Sequence, residues 1–220
     1  MGMIRGALFA VVLLLASGGS AYAQGADVGL INQVAGDVSY TSSSGAGKVQ
    51  AFMKMRQGDR FNLAAGAQLK VVYFQTGRQE TWRGPAGFRS GAEHSEVLAG
   101  AVYEVANLPL GVPQKIQRIP ELLQMAKLGG IQVRGTTPKQ RASLEQQAEV
   151  AAARATYAQL RQQAPQDDIT PEMYLFTVLQ DYLLYDDMKS VADEMLRRQP
   201  GNQEAQQLAE WARARIQASR

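Results

Sequence analysis

The chain contains no cysteine and only one histidine, His94. Without thiols it has no disulfide staples, no thiol nucleophile, no Cys-ligated zinc and no attachment point for a lipoprotein acyl chain. Its stability therefore has to come from ordinary burial. No Asn-x-Ser/Thr glycan acceptor occurs either, and together these absences read as a bacterial rather than a eukaryotic exported chain. Charge of one sign is also lacking: 23 Lys and Arg against 20 Asp and Glu leave a formal net charge of +3. That excess is too small to attract nucleic acid or an anionic membrane through bulk charge. Long apolar runs are missing as well. The most apolar stretch, Ala7 to Ala16, is about half the roughly twenty residues that a membrane-crossing helix needs, which predicts no integral membrane span.

What that stretch does match is a secretory leader. Arg5 supplies a positive start, Ala7 to Ala16 the apolar core, and Ala21-Tyr22-Ala23 the small residues of a cleavage site. The reading is a signal peptide over residues 1–23, cleaved after Ala23. The expected location of the mature chain is the periplasm in preference to the medium.

The remaining chain has two grammars. From Val28 to about Val105 it uses short apolar runs, frequent Gly and almost no helical periodicity, which is β vocabulary. Val28 to Tyr40 holds two strands around Ala35-Gly36-Asp37, and Ser42 to Gly47 reads as a flexible loop. Leu69 to Gln75 is the strongest strand, with a turn at Thr76-Gly77 leading into Gln79 to Arg83 as a hairpin. Strands this short predict a small all-β sandwich or barrel-like domain over residues 24–106. Leu108-Pro109-Leu110-Gly111-Val112-Pro113 cannot continue a ladder, so 107–136 reads as a linker. It carries a short helix at Glu121 to Leu128 and a possible strand at Ile131 to Arg134.

Helix signals dominate from 137 to 220. Thr137-Pro138 with Gln140 makes an N-cap, a first-turn proline and a capping-box partner. A helix is expected from there to about Gln163, with Leu144, Ala148, Ala151, Ala155 and Leu160 as its apolar stripe. Thr170-Pro171-Glu172 repeats the start signal, and helices over Met188 to Arg198 and Gln203 to Ile216 complete a set of stacked hairpins. The predicted class is α+β, a sandwich or barrel-like domain followed by an antiparallel helical-hairpin domain. Charge divides along the same line. Residues 24–135 carry 12 basic and 8 acidic residues, and 136–220 carry 10 and 12, which mildly favours contact between the halves.

Over about residues 28–90 the chain shows Val34-Ala35-Gly36-Asp37-Val38, then Gln57-Gly58-Asp59-Arg60-Phe61, then Leu69-Lys70-Val71-Val72-Tyr73-Phe74 and Gly84-Pro85-Ala86. In this order they resemble the FecR-type β domain of bacterial periplasmic proteins. Thr76-Gly77 stands where many members carry Asp-Gly. The resemblance extends to neither the cytoplasmic segment nor the membrane span of the FecR regulators, so no transmembrane signalling is expected from it. The resemblance implies a fold and a compartment. Over about 171–216, Leu175, Leu179, Tyr185-Asp186-Asp187-Met188, Ala192, Leu196 and Pro200-Gly201-Asn202 fall at the spacing of a tetratricopeptide-like hairpin. That resemblance implies protein recognition, with Gln203 to Ile216 as the solvating last helix.

Each candidate for chemistry has an ordinary structural reading beside it. His94, in Glu93-His94-Ser95-Glu96, lacks the second imidazole or thiolate that a zinc site normally needs and reads better as a surface turn. Gly45-Ala46-Gly47-Lys48 is followed by Val49, where a phosphate loop needs Ser or Thr. Asp167-Asp168 and Asp186-Asp187 lack the alternating ligands of a calcium loop and suit helix starts. No cofactor or metal is expected. Trp82 with Tyr73 suggests an aromatic platform for a glycan or a peptide, with an ordinary β core as the preferred reading; Tyr174, Tyr182 and Tyr185 suggest peptide recognition or hairpin core. The expected function is a non-catalytic module for protein interaction or envelope assembly, its partner an envelope protein or peptide. The alternative is carbohydrate or peptidoglycan binding through the aromatics, and a further rival is an enzyme whose carboxylates Glu80, Glu93 and Glu96 converge in space.

Overall fold

The computed structural model describes residues 25–128 and 144–218. The leader, the strand expected at Ile131 to Arg134 and the cap at Thr137 lie outside the described residues.

Among the described residues ten strands come first: β1 (Asp27–Ala35), β2 (Val38–Ser42), β3 (Gly45–Lys48), β4 (Lys54–Arg56), β5 (Arg60–Leu63), β6 (Gln68–Tyr73), β7 (Arg78–Arg83), β8 (Ala86–Ser90), β9 (Ser95–Ala99) and β10 (Val102–Asn107). They form two five-stranded sheets with only antiparallel neighbours. One, the inner sheet, has the order β10-β7-β6-β1-β4, and the outer sheet has β3-β2-β5-β8-β9. Six helices follow: α1 (Val112–Ile116), α2 (Ile119–Lys127), α3 (Leu144–Gln163), α4 (Thr170–Asp181), α5 (Tyr185–Arg198) and α6 (Gln203–Ala218). The class is α+β.

Side chains alternate across each strand, and β6 shows what that does here. Leu69, Val71 and Tyr73 join Ile31, Met55 and Trp82 against Val38, Phe61, Leu63 and Phe88 of the outer sheet. Val72, on the other face of β6, joins Leu30, Val112, Ile116, Met173 and Phe176 among the helices. The inner sheet is thus covered on both faces, and the molecule has three layers. The sequence shows the reason: apart from Lys70, β6 beyond Gln68 reads as an apolar and β-branched run, the signature of a strand buried on both sides. Its turn to β7 needs Gly77, where φ is +70°. At Gly29 a Cβ would lie 2.5 Å from the Val72 carbonyl oxygen and 2.6 Å from Met55 Cε, so only glycine lets β1 pass this close to β6 and β4.

Two expectations need correction. Residues 42–47 are no loose loop: Gly45–Lys48 is β3, paired with β2 through a turn at Ser44, and Ser42 Oγ donates to the Gly45 carbonyl at 3.0 Å. The stripe assigned to α3 is also displaced. Leu144, Ala148, Ala151 and Ala155 are exposed, and the packed face is Val150, Ala153, Tyr157 and Leu160. Alanines bury too little area to choose a face, so the larger side chains set it. Successive helices α3, α4, α5 and α6 pack on one another, α6 also touches α2, and α1 touches α4.

Candidate functional site

Three places concentrate polar or exposed chemistry: the join between inner sheet and helices, a charged cleft beside β4, and the open side of the sandwich between β9 and β10.

At the join, Lys70 on β6 and Gln79 on β7 project from the helix side of the inner sheet. Lys70 Nζ donates to Asp168 Oδ2 at 3.0 Å, with both side chains under 5 % exposed (4 % and 3 %). Gln79 Nε2 donates to the same oxygen at 2.8 Å and to Thr170 Oγ1 at 3.1 Å, and Asn32 Nδ2 reaches Thr170 Oγ1 at 2.6 Å. Asp168 in turn accepts from the Thr170 amide at 2.8 Å and hydroxyl at 2.5 Å at the start of α4. Burial alone would raise the Asp168 carboxyl, but the Lys70 charge and the Thr170 bonds outweigh it and hold it below the usual carboxylate range. Beside this lies a second buried acid. Glu172 accepts from Arg161 Nη1 at 3.0 Å, Arg198 Nε at 3.0 Å and Tyr157 hydroxyl at 3.1 Å. Arg161 also donates to the Asp168 carbonyl at 2.5 Å, which links the two clusters. Burial first, then the Glu172 charge, pushes the Tyr157 hydroxyl up to about 12. The charged groups here all find their partners inside the protein, so this cluster fastens the two halves together; Asn32 Oδ1 is a buried acceptor left without a hydrogen-bond partner among the described residues.

The cleft beside β4 has a volume of about 550 Å³ and is walled by β2, β4 and α2. Lys54 spans it, with Nζ 2.8 Å from Glu121 and 3.2 Å from Asp27. Bonding to Glu121, only partly offset by burial, raises the Lys54 ammonium above its ordinary value. Asp59 at its floor is raised by burial. Its charges answer one another across the gap.

The β9–β10 side is different. β9 is the last strand of the outer sheet and β10 the last of the inner one, so among the described residues each has a free edge. They meet at the corner Gly100-Ala101 and belong to different sheets. Directly opposed residues of an antiparallel pair share a face. Val97 is opposite Phe88, and Val105 is opposite Glu80, so both valines point into the sandwich. Yet they are 53 % and 43 % exposed. At the end away from the corner, Thr76, Arg78, Glu93, His94 and Asn107 surround an open pocket of about 420 Å³. Arg78 Nε donates at 2.6 Å to Glu80, a fully buried carboxylate that also accepts from Trp82 Nε1 at 3.1 Å and the Ser95 amide at 3.3 Å.

The aromatic residues singled out from the sequence are scattered. Trp82 and Tyr73 are both at 0 % exposure. Trp82 stacks on Phe88 with centroids 4.6 Å apart, and Tyr73 hydroxyl lies 2.8 Å from Ser95 Oγ. Neither presents a face to solvent for a glycan to stack on. Burial, first of all, raises the Tyr73 hydroxyl well above its ordinary range. Tyr174, Tyr182 and Tyr185 are half-buried against the helical core, Tyr182 bonds Glu149, and Tyr185 meets Trp211 edge-on. The three carboxylates stand in different surroundings. Glu80 points into the sandwich, Glu93 lines the open pocket, and Glu96 pairs with Arg89.

No protein-family profile, curated protein or solved structure matches this chain.

The residues that sequence reasoning missed were Val97 and Val105 at the open edge, and Lys70, Gln79 and Glu172 at the join; Asp168, read as a helix-start charge, accepts the Thr170 amide at the start of α4 and holds Lys70 as well. For the join a signal was present: Lys70 interrupts an otherwise apolar strand, and a charge inside such a run implies a buried partner. For the open edge none was, because a valine in an edge strand reads the same as one in the core.

Proposed function

We propose that this chain is an exported, non-catalytic protein-interaction or envelope-assembly module of the periplasm. In this reading its sandwich belongs with FecR-like domains and its helices with tetratricopeptide-like hairpins. One observation carries the interaction reading: Val97, Leu98, Tyr103 and Val105, all exposed, lie on β9 and β10, two strands whose edges no described strand covers. Apolar side chains beside unpaired backbone are what a protein partner covers and what an isolated domain otherwise suppresses. The leader over residues 1–23 supports export. The glycan alternative loses its platform with the burial of Trp82 and Tyr73.

The test is site-specific photocrosslinking in the native envelope. A crosslinker at position 97 or 105 is expected to capture the same polypeptide repeatedly, identified by mass spectrometry, and one at exposed Glu210 on α6 is not. Equal labelling at all three positions, or none, would count against the reading.

A further inference from the structure

We propose that the side of the sandwich between β9 and β10 is a strand-addition site for a short extended segment of a partner protein. That segment carries a carboxylate. It hydrogen-bonds to the free edge of β10 over residues 104–107, covers Val97 and Val105 with its inward side chains, and sets the carboxylate against Arg78. The inference rests on the interaction reading above and names the partner's chemistry.

The edge geometry selects both the strand and its length. Each edge strand carries a bulge near the corner. Leu98 is the extra residue of β9, since Gly87 opposes Ala99 and Phe88 opposes Val97. Tyr103 is the extra residue of β10, since Trp82 opposes Val102 and Thr81 opposes Glu104. Bulges disrupt pairing where they sit, and Arg83 further occupies the Tyr103 ring, 3.5 Å from its centroid. Beyond the bulges β10 is regular from Glu104 to Asn107, enough for an added strand of about four residues, on the order of 13 Å. Across the seam Val97 presents an interior side chain that no described strand covers. A strand on β10 sends alternate side chains inward, over both valines.

Charge fixes the direction of the segment. Arg78 is opposite Asn107, at the mouth of the seam. Its Nε is held by buried Glu80, which locks the planar fork and leaves its Nη groups for a carboxylate, the acceptor that the fork fits in bidentate fashion. His94 shares that mouth, and so does Glu93. Glu104 stands at the other end of the regular stretch. Glu104 repels a carboxylate at its end of the stretch, so the charge is specified at the other end, where the Arg78 fork has to outweigh Glu93. The recognition mode is strand addition, with main-chain bonds for affinity and side-chain pockets for register.

The test pans random octapeptides with free C-termini on the full chain, with counter-selection on Val97→Lys and Val105→Lys. Enriched peptides are expected to alternate apolar residues and to end in, or carry, one carboxylate. Synthetic copies should slow hydrogen exchange at β10 amides. Their affinity should fall about tenfold or more with Arg78→Gln, as with methylation of alternate peptide amides. If either lysine variant melts early, Val97→Thr and Val105→Thr replace it. Peptides that bind the counter-selection variants equally, leave β10 exchange unchanged or ignore Arg78→Gln would overturn the proposal. So would a concentration-dependent dimer abolished by Val105→Lys, which would put a second copy in the seam. A partner crosslinked at 97 and 105 with no such peptides would sink strand addition and leave the interaction reading standing; no crosslinked partner at all would sink both.

Discussion

A single lysine decides how the two halves are joined. Lys70 is the one charge on β6, and it faces the helices because Leu69 and Val71 on either side face the sandwich. A buried ion pair is fragile when halved, since the remaining charge stays desolvated, and breaking one typically costs about 3–5 kcal/mol. Lys70→Met should cost that much by urea denaturation, and Lys70→Met with Asp168→Leu together should cost less than Lys70→Met alone. The acid has a pH signature. Its folded pKa is lowered, so the stability it contributes is fully present above the unfolded value of about 3.9 and is lost as pH falls through the lower folded value. Asp181, beside Lys115 and Arg118, and Asp193, beside Lys189 and Arg213, act in the same direction although burial opposes it in each. Urea midpoints should therefore stay level from pH 7 to about 5 and drop below about 4, with Asp168→Asn lowering the plateau and flattening the drop. Trp82 makes the converse case. Its replacement by Ala is expected to cost about 3–5 kcal/mol by thermal or urea unfolding, with Glu80 losing its indole donor as well. Unchanged stability would mean that the ring is not the packed core residue described above.

At the scale of elements, glycine and register explain more than propensity does. Gly29→Ala pushes a methyl into the Val72 carbonyl and Met55. Overpacking of that kind should cost about 1–3 kcal/mol in the urea midpoint, more than the same change at Gly201, where a Cβ meets nothing. The strong elements were legible in sequence: the β6–β7 hairpin around Thr76-Gly77, the change of grammar near Asn107, and α4 starting at Thr170 all follow from local chemistry. The α3 face was misread because four of its five assigned positions carry little or no buried area. β3 was misread because Ser42 to Gly47 has loop composition, and its ladder comes from pairing with β2. The open edge could not be read at all. Which strand lies last in a sheet is a property of topology, and Val97 and Val105 have no local mark that separates them from Val71.

For the whole molecule, the inner sheet is the common wall of two cores. Val72 and Leu30 pack among the helices while Val71 and Ile31 pack inside the sandwich, so neither core is complete without the same two strands, β1 and β6. Unfolding should be one cooperative event. The two tryptophans sit one in each core, Trp82 against Phe88 and Trp211 near Phe176. Trp82→Phe and Trp211→Phe single-tryptophan variants should therefore each show fluorescence and circular dichroism midpoints that coincide. Separate midpoints would mean that the halves melt independently.

Chain order gives the helix side of that wall one more meaning. Read from the amino terminus, β1 through β10 are finished before the first residue of α4 is made, so Asn32, Lys70 and Gln79 meet water before they meet Asp168 and Thr170, and Thr81, two residues on from Gln79 and on the same face of β7, waits with them. An all-apolar face would leave the nascent chain sticky for as long as the remaining segment takes to emerge. Amide, ammonium and hydroxyl groups spaced among Leu30 and Val72 let the same surface stay hydrated while it waits, and then bind the helix that arrives.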